Sequence, residues 1–426
     1  MIDIKRLRQD PEAVRSALRR RLDPTIDATL TELTELDRRR REALVQAETL
    51  KASRNAASEE VARRKKAGQP ADELLAELKA SSELSKQLEA DAKSLDEQQN
   101  ELLLGIPNIP HEALPDGDAT ANRVVRTWGE KPAFDFAPRP HWELGEVLGL
   151  FDLARGTRVA GSGFPLFTGQ GARLVRALAN FMLDLHTREH GYTEMAPPYV
   201  VSSESMRGTG QLPKFQEDLY RVPIDGLWLI PTAEVPVTNI HRGEILDAAM
   251  LPVTYVAWTP CFRREAGAAG KDTRGLLRVH QFDKVELVRV VKPETSSDEH
   301  DIITTHAENV LQRLGLPYRV LELAAGDTGF ASHRTYDLET WAPGVGTWLE
   351  VSSASTFTDF QARRMDLRYR PEPGAKPEFV HTLNASGLAF PRTIATLLET
   401  YQQADGSVRI PAALATYFGA DRLTPR

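Results

Sequence analysis

From Thr31 to Leu104 the chain holds neither Trp nor Phe, and Gly68 and Pro70 are the only helix breakers in that span. Leu30, Leu33, Leu44, Ala47 and Leu50 recur at helical spacing, and Leu74, Leu78, Leu84, Leu88, Leu95 and Leu102 do so again. Between the two runs, Lys65-Lys-Ala-Gly-Gln-Pro-Ala71 supplies a turn. So narrow an apolar stripe cannot serve a helix buried on all sides. It suits two long antiparallel helices that meet along a thin seam and stay wet elsewhere. Residues 1–104 are expected to form this helical arm.

Charge separates the two helices. Arg38 to Lys66 carries ten Lys and Arg (Arg38, Arg39, Arg40, Arg41, Lys51, Arg54, Arg63, Arg64, Lys65 and Lys66) against four Glu. Asp72 to Glu101 carries nine acids against three Lys. Neutralisation across the seam and a basic ridge facing away from the acidic helix both fit this pattern. Such a ridge suits phosphate contacts, most densely at Arg63-Arg-Lys-Lys66 beside the turn.

Three prolines between Ile106 and Pro115 exclude helix and central strand, so residues 105–123 read as a linker. From Val124 the composition changes, with Trp128, Phe134, Phe136 and Trp142 arriving together. An amphipathic helix is expected near Arg173–Glu189, where Leu174–Leu185 reads LVRALANFMLDL. The length of 426 residues exceeds one ordinary core, so residues 124–426 form a second, α+β domain in this reading. A formal net charge of -7 argues against a protein that coats nucleic acid indiscriminately, while leaving local basic patches open. Cys261 is the single cysteine, which excludes an intrachain disulfide and points to a reducing compartment. No signal-like start and no apolar run of about eighteen residues occurs, so the expectation is a soluble cytoplasmic protein without a membrane span. With no Cys pair, no HExxH and ten scattered histidines, a zinc site is not expected.

The chemistry concentrates between Trp258 and Val291. Two alternating runs, joined by a Gly-, Lys- and Arg-bearing loop, read as a hairpin. The first ends in Phe262-Arg-Arg-Glu265; the second carries Arg278, His280, Phe282 and Glu286. The loop sets Lys271, Arg274 and Arg278 against a single Asp272, which suits an anionic ligand such as a nucleotide.

The runs FRREAG (Phe262–Gly267) and DTRGLLRVHQFDKVEL (Asp272–Leu287) resemble motif 2 of the class II aminoacyl-tRNA synthetases, in the form found in the seryl-tRNA synthetase family. Gly191–Val201 resembles motif 1, the dimer-interface segment, with Pro198 at its proline. HTLNASGLAFPRTI (His381–Ile394) resembles motif 3. The resemblance covers essentially the whole chain. It implies an N-terminal helical hairpin, a catalytic domain around a mainly antiparallel sheet, and a homodimer. It also implies ATP with Mg²⁺ and L-serine as ligands and tRNA(Ser) as acceptor, and leaves open whether tRNA(Sec) is charged too. The arm would contact tRNA through Arg38, Arg41, Lys51, Arg54, Arg63, Arg64, Lys65 and Lys66.

By the same resemblance Arg263 contacts the α-phosphate and the serine carboxylate, a task suited to a planar, permanently charged guanidinium. Glu265, taken as sharing its strand face, would accept from the adenine amino group, and Phe282 would stack under the ring with the Val279 backbone at its edge. Arg264 belongs to the same ATP-binding stretch but faces the other way and receives no catalytic role. Arg392, opening an apolar helix behind Pro391, would meet the γ-phosphate where the helix N-terminus also favours anions. In Trp348-Leu-Glu-Val-Ser-Ser-Ala354, alternation puts Glu350 and Ser352 on one face and Ser353 at the start of a turn. The family holds Mg²⁺ with Glu350 and Ser353, oxygen donors of the kind that ion prefers, and Val351 and Ser352 complete this part of the ATP site. Thr232, Ala233 and Glu234 resemble the TxE motif that holds the serine α-ammonium group. Glu286 and Ser386, with Asn384 beside them, would bond the hydroxyl. A rarer zinc-dependent form of the family is not matched.

Three other readings stay open at this point. A paralogue could activate an amino acid for a carrier protein, although such relatives lack the arm. A catalytically dead RNA-binding regulator would not need a competent residue at every position named above. A coiled-coil scaffold would not need the Trp-bearing C-terminal region.

Overall fold

The computed structural model describes residues 1–266 and 274–425, so Lys271 and Asp272 lie outside the described residues. The chain divides into two units. The first takes residues 2–19 and 23–106 and is helical: α1 (Ile4–Gln9), α2 (Pro11–Arg19), α3 (Ile26–Lys66) and α4 (Asp72–Gly105). α3 and α4 run antiparallel, since Asp37 accepts from Gln99 at 3.0 Å and Arg40 Nε lies 2.7 Å from Asp96 Oδ1. The seam mixes leucines with small residues: Leu30, Leu36, Leu95 and Leu103 are buried in it beside Ala43. Ala71, Ser85, Ala92 and Gln99 are buried at multiples of seven, opposite Leu33, Ala47 and Val61. The helical period is as expected, and Leu30, Leu33, Ala47 and Leu95 are buried, but the phase slips at two points: Leu44 and Leu84 stay exposed while Ala43 and Ser85 are buried.

Charge pairing in this unit is mostly local. Arg38 sits between Glu35 and Glu42 on its own helix, and Arg63 and Arg64 share Glu60. Arg41 Nη1 reaches Asp37 Oδ2 at 4.0 Å. Lys51, Lys65 and Lys66 are exposed.

The second unit takes Met1 and residues 20–22 and 107–426. Its centre is an eight-stranded sheet of β1 (Arg123–Trp128), β2 (Thr193–Glu194), β3 (Val253–Phe262), β4 (Gln281–Val291), β5 (Tyr318–Glu322), β6 (Arg334–Ala342), β7 (Thr347–Thr358) and β8 (His381–Ala389). The order is β1-β5-β6-β7-β8-β4-β3-β2, antiparallel throughout except between β2 and β3. β8, last in sequence, inserts between β7 and β4 and so brings three distant stretches side by side. The helices of this unit used below are α5 (His141–Leu148), α6 (Gln170–Arg188), α7 (Ser296–Leu314), α8 (Phe360–Met365) and α9 (Phe390–Tyr401). Leu178 and Met182 of α6, Leu311 of α7 and Leu397 of α9 join Val285, Leu287 and Leu388 of the sheet in one apolar core.

The proline-rich stretch after α4 is packed rather than free. Asn108 N–H donates to Phe330 O at 2.9 Å and its side chain to Phe357 O at 2.8 Å, while buried Arg21 Nε donates to Asn108 O at 2.9 Å. The motif 2 hairpin is shorter than its alternation suggests. β3 stops at Phe262 and β4 starts at Gln281, with one further bond from Arg263 N–H to His280 O at 2.9 Å. Glu265 lies past the strand at φ +53°, so alternation does not set its direction. β7 does not turn at Ser353 either; it runs on to Thr358. Its register with β6 slips between Leu338 and Glu339, leaving Val351 as an extra residue. With that bulge Glu350 lines one cavity together with Ser352 and another together with Ser353 and Ser355. Among the described residues no helix is long and apolar enough to cross a membrane.

Candidate active site

Two cavities open on the sheet. The first, about 280 Å³, takes Arg263, Glu265, Val279 and Phe282 from the hairpin and Glu350, Val351, Ser352 and Arg392 from β7 and α9. The second, about 250 Å³, takes Thr232, Glu234, Ser353, Asn384 and one wall of Phe215 and Phe330. Arg263, Lys284, Glu350 and Ser386 line both. Each sits where strands separated in sequence lie adjacent: the pairing of β4 with β8 sets Glu286 beside Ser386, and Val288 beside Asn384.

The first cavity is bounded by cations. Arg263 Nε donates to Pro231 O at 3.3 Å, and its guanidinium carbon lies 5.2 Å from the centre of the Phe282 ring. Phe282 is half-buried with the ring at the cavity, so it is not a core residue. Glu265 pairs with Arg278. Its positive φ is an unfavourable backbone for a non-glycine residue, of a kind that gathers at functional sites. On the far side Arg392 donates from Nε to Leu277 O at 3.1 Å and from Nη1 to Glu350 O at 3.0 Å, with the Glu350 carboxylate at 3.4 Å. Pro391 occupies the first turn of α9, where no N–H is required.

The second cavity is lined by one buried carboxylate, Glu234, with a second, Glu286, behind it. Glu234 accepts from Gln361 Nε2 at 2.7 Å, and Thr382 in turn donates to Gln361 Oε1 at 2.7 Å. Burial, then the nearby Glu286 charge, push the Glu234 carboxyl up to about 7. Burial also pushes the Glu286 carboxyl up, against the pull of Lys284 and Arg263. Glu286 lines neither cavity; it forms an ion pair with Lys284 and accepts from Asn384 Nδ2 at 3.0 Å, so those two residues present it to the space. Lys284 Nζ also donates to Thr232 Oγ1 at 2.8 Å. Asp337, opposite Ser353, is half-buried, and desolvation and the Glu350 charge hold its carboxyl well above the usual range.

Most residues singled out in the sequence thus converge on these two spaces. Three do not: Arg264 lines neither cavity, Glu286 stands behind Lys284 and Asn384, and the Ala233 side chain is buried with Val237, Ala257 and Val288. Pro198 is exposed between β2 and the strand Val200–Ser202, away from both cavity linings. Three residues were missed. Lys284 carried a signal, since Phe282, Lys284 and Glu286 alternate along one strand. Gln361 and Asp337 carried none, because their partners lie far off in sequence. Among the described residues no cluster of His, Cys, Asp and Glu could hold a metal ion by protein ligands alone.

A mainly antiparallel sheet with one arginine at the end of its hairpin strand and another on α9, both lining one cavity, defines a class II aminoacyl-tRNA synthetase core. Residues 220–401 match the family model of the tRNA synthetase class II core domain (G, H, P, S and T), and residues 1–110 match the seryl-tRNA synthetase N-terminal domain. The serine–tRNA ligase of Gemmatimonas aurantiaca is 57% identical over 98% of this chain and 99% of its own. A crystal structure of the seryl-tRNA synthetase from Pyrococcus horikoshii complexed with ATP superposes with a TM-score of 0.97 at 38% identity, covering 100% of both chains. That of the cytoplasmic serine–tRNA ligase from Naegleria fowleri in complex with AMP gives 0.87 at 30% identity, covering 98% of this chain and 96% of the other. The chain belongs to the serine–tRNA ligases, ATP-dependent enzymes that join serine to tRNA.

Proposed function

We propose that the first cavity binds ATP, the second binds L-serine, and Arg263 joins the two half-sites. The observation that carries this reading is that Arg263 lines both cavities, so one guanidinium faces the α-phosphate and the serine carboxylate together. A serine carboxylate oxygen attacks the α-phosphorus in line, and the bond to the bridging oxygen of pyrophosphate breaks. Arg263 and Arg392 hold the charge that develops on the transferred and departing phosphates. In the second step the hydroxyl at the tRNA 3′ end attacks the seryl carbonyl and AMP leaves.

Phe282 supplies the adenine stacking face, with Glu265 and Val279 at the ring edge. Glu234 and Thr232 take the α-ammonium group: a desolvated carboxyl with a raised pKa gains most from a cation. Ser386 and Asn384, with Glu286 behind them, take the hydroxyl. Alanine is refused because it leaves those buried groups unpaired, and threonine by shape alone, a weaker discrimination. The residues fit Mg²⁺ as well. Glu350 and Ser353 line one wall, and Asp337 Oδ1 is buried with no hydrogen-bond partner among the described residues. These are oxygen donors without a thiolate or imidazole. Mg²⁺ held with ATP by Glu350 and Ser353 would add positive charge along the phosphate chain.

The remaining parts of the reading are a homodimer formed through the motif 1 segment, a cytoplasmic setting, and an arm that contacts the acceptor. Tyr199 and Val200 beside Pro198 are exposed apolar residues suited to an interface, and Cys261 is a free, buried thiol. The acceptor is tRNA(Ser). An M. kandleri seryl-tRNA synthetase solved with A. aeolicus tRNASec shares the fold at 17% identity and a TM-score of 0.59, and tRNA(Sec) is a second arm of the charging assay. The primary test is ATP–pyrophosphate exchange with serine, threonine and alanine. Exchange dependent on serine alone is expected, and Arg263→Ala should lose about 3–4 kcal/mol of transition-state stabilisation while staying folded. Near-normal exchange in that variant would remove Arg263 from the mechanism.

A further inference from the structure

His141 and Glu399 lie outside both cavities, yet both are fully buried and every polar atom of the pair has a partner. Glu399 Oε1 accepts from the His141 backbone N–H at 2.9 Å and meets His141 Nδ1 at 2.8 Å. Glu399 Oε2 accepts from the backbone N–H groups of Gly344 at 2.8 Å and Val345 at 3.1 Å. On the other edge of the imidazole, Nε2 accepts from Leu276 N–H at 3.0 Å. The tautomer follows from the partners. Nδ1 carries the proton toward the carboxylate, and Nε2 offers its lone pair to an amide that can only donate.

These bonds close a ring around the first cavity. Leu276 is where the hairpin loop returns to line that cavity, and the next residue, Leu277, accepts from Arg392 Nε at 3.1 Å. Arg392 and Glu399 stand on the same helix, α9, two turns apart. Gly344 and Val345 form the turn between β6 and β7, just before Glu350. One carboxylate thus ties together the loop return, α9 and the turn before the Glu350 strand. The return is seated tightly at Gly275, which has φ +67° and where a Cβ would come within 2.4 Å of His141 Nε2. Arg274 adds a cation–π contact, 4.7 Å from the centre of the Trp142 ring.

We propose that His141 and Glu399 are positioning residues for the ATP half-reaction: through Leu276 they fix the return of the motif 2 loop against Arg392 before nucleotide arrives. The proposal rests on the reading of this cavity as the ATP site. Binding energy for ATP is then not consumed in ordering the loop. The effect belongs to ATP rather than serine, because none of the bonded groups lines the serine cavity.

The full-length enzyme tests this with three variants in pyrophosphate exchange. His141→Phe keeps the ring volume but offers no acceptor, and should raise the ATP KM about tenfold, the scale of one buried hydrogen bond. The serine KM should stay within about twofold, since that cavity is untouched. His141→Gln places an amide oxygen near the Nε2 position, and should restore part of the ATP KM. Glu399→Gln should resemble His141→Phe, because its amide must face N–H donors in either orientation. An unchanged ATP KM, or ATP and serine constants that worsen together with no recovery in His141→Gln, overturns the proposal. Should His141→Phe fail to fold, amide exchange in the nucleotide-free wild type decides. Protection of Leu276 N–H supports the anchor, and exchange at an open-loop rate overturns it. A wild type without serine-dependent exchange would instead defeat the reading of the site.

Discussion

Lys284 reaches from β4 to Thr232, Nζ to Oγ1 at 2.8 Å, and sets one positive charge beside two buried carboxylates, Glu286 and Glu234. Burial is the largest influence on both acids and raises both; Lys284 opposes it in each. The pocket is therefore held together by compensation.

Replacing Lys284 with Met leaves Glu286 buried without its cation. Breaking a buried pair from one side costs about 3–5 kcal/mol, which urea unfolding can read directly. Adding Glu286→Gln removes the stranded charge, so Lys284→Met/Glu286→Gln should regain part of that loss. A double variant no more stable than the single one would show that Lys284 contributes packing rather than charge.

Serine binding should depend on pH through Glu234. Its carboxyl, raised to about 7, is neutral at lower pH and then cannot balance an α-ammonium group. The serine KM is expected to rise as pH falls below 7, approaching about tenfold per pH unit. The ATP KM should follow a flatter course. Glu234→Gln should start from a high serine KM at pH 8 and lose that pH dependence; a retained profile would assign the titration to another group.

The missed and misplaced residues share a physical cause. Periodicity reports a helix more securely than its phase: Leu30, Leu33, Ala47 and Leu95 are buried as their spacing implies, but Ala43 and Ser85 take the seam in place of Leu44 and Leu84. A bulge adds a residue without leaving a trace in composition. Alternation therefore pairs Glu350 with Ser352, and the two do share the first cavity, but the slipped register also brings Ser353 to Glu350 in the second. Partners brought in by β8 and α8 cannot be read from spacing: Gln361 lies 127 residues from the carboxylate it supports. What was legible were residues whose chemistry is uncommon where they stand, such as two arginines after an apolar strand and an arginine at the head of an apolar helix.

Acid should destabilise the fold through histidines kept neutral. Burial, first among the causes, lowers His186 and His306 to about 3 and His300 and His333 to about 4. In the unfolded chain these groups protonate near 6.5. Their stabilisation is therefore complete above that pH and is lost progressively as pH falls toward 4, because the unfolded state binds more protons. Urea midpoints should fall between pH 7 and pH 5. His300→Gln keeps a donor for Ala354 O, which His300 Nε2 contacts at 2.9 Å, and should reduce the slope by about one proton. An unaltered slope would mean that His300 does not take part.

The arm and the active site should separate by assay. Both cavities are lined by residues from Thr209 onward, and no residue of α3 or α4 is among them. Replacing Arg63, Arg64, Lys65 and Lys66 with Ala should leave serine-dependent pyrophosphate exchange unchanged and weaken aminoacylation through the tRNA KM. The salt dependence of charging should flatten as phosphate contacts disappear. The four are not equivalent: Arg63 and Arg64 share the Glu60 carboxylate, which they hold down at about 2, while Lys65 and Lys66 are exposed. The lysine pair alone should therefore account for much of the loss. Mixed dimers extend the test, pairing an arm-deleted chain with an Arg263→Ala chain. If an arm serves the tRNA whose 3′ end enters the other subunit, such a dimer still charges, because the intact arm and the intact site are on opposite chains. If each arm serves its own subunit, neither half of that dimer is competent and charging disappears. Undiminished charging by an enzyme lacking both arms would remove the arm from tRNA recognition and reopen the carrier-protein reading of the acceptor.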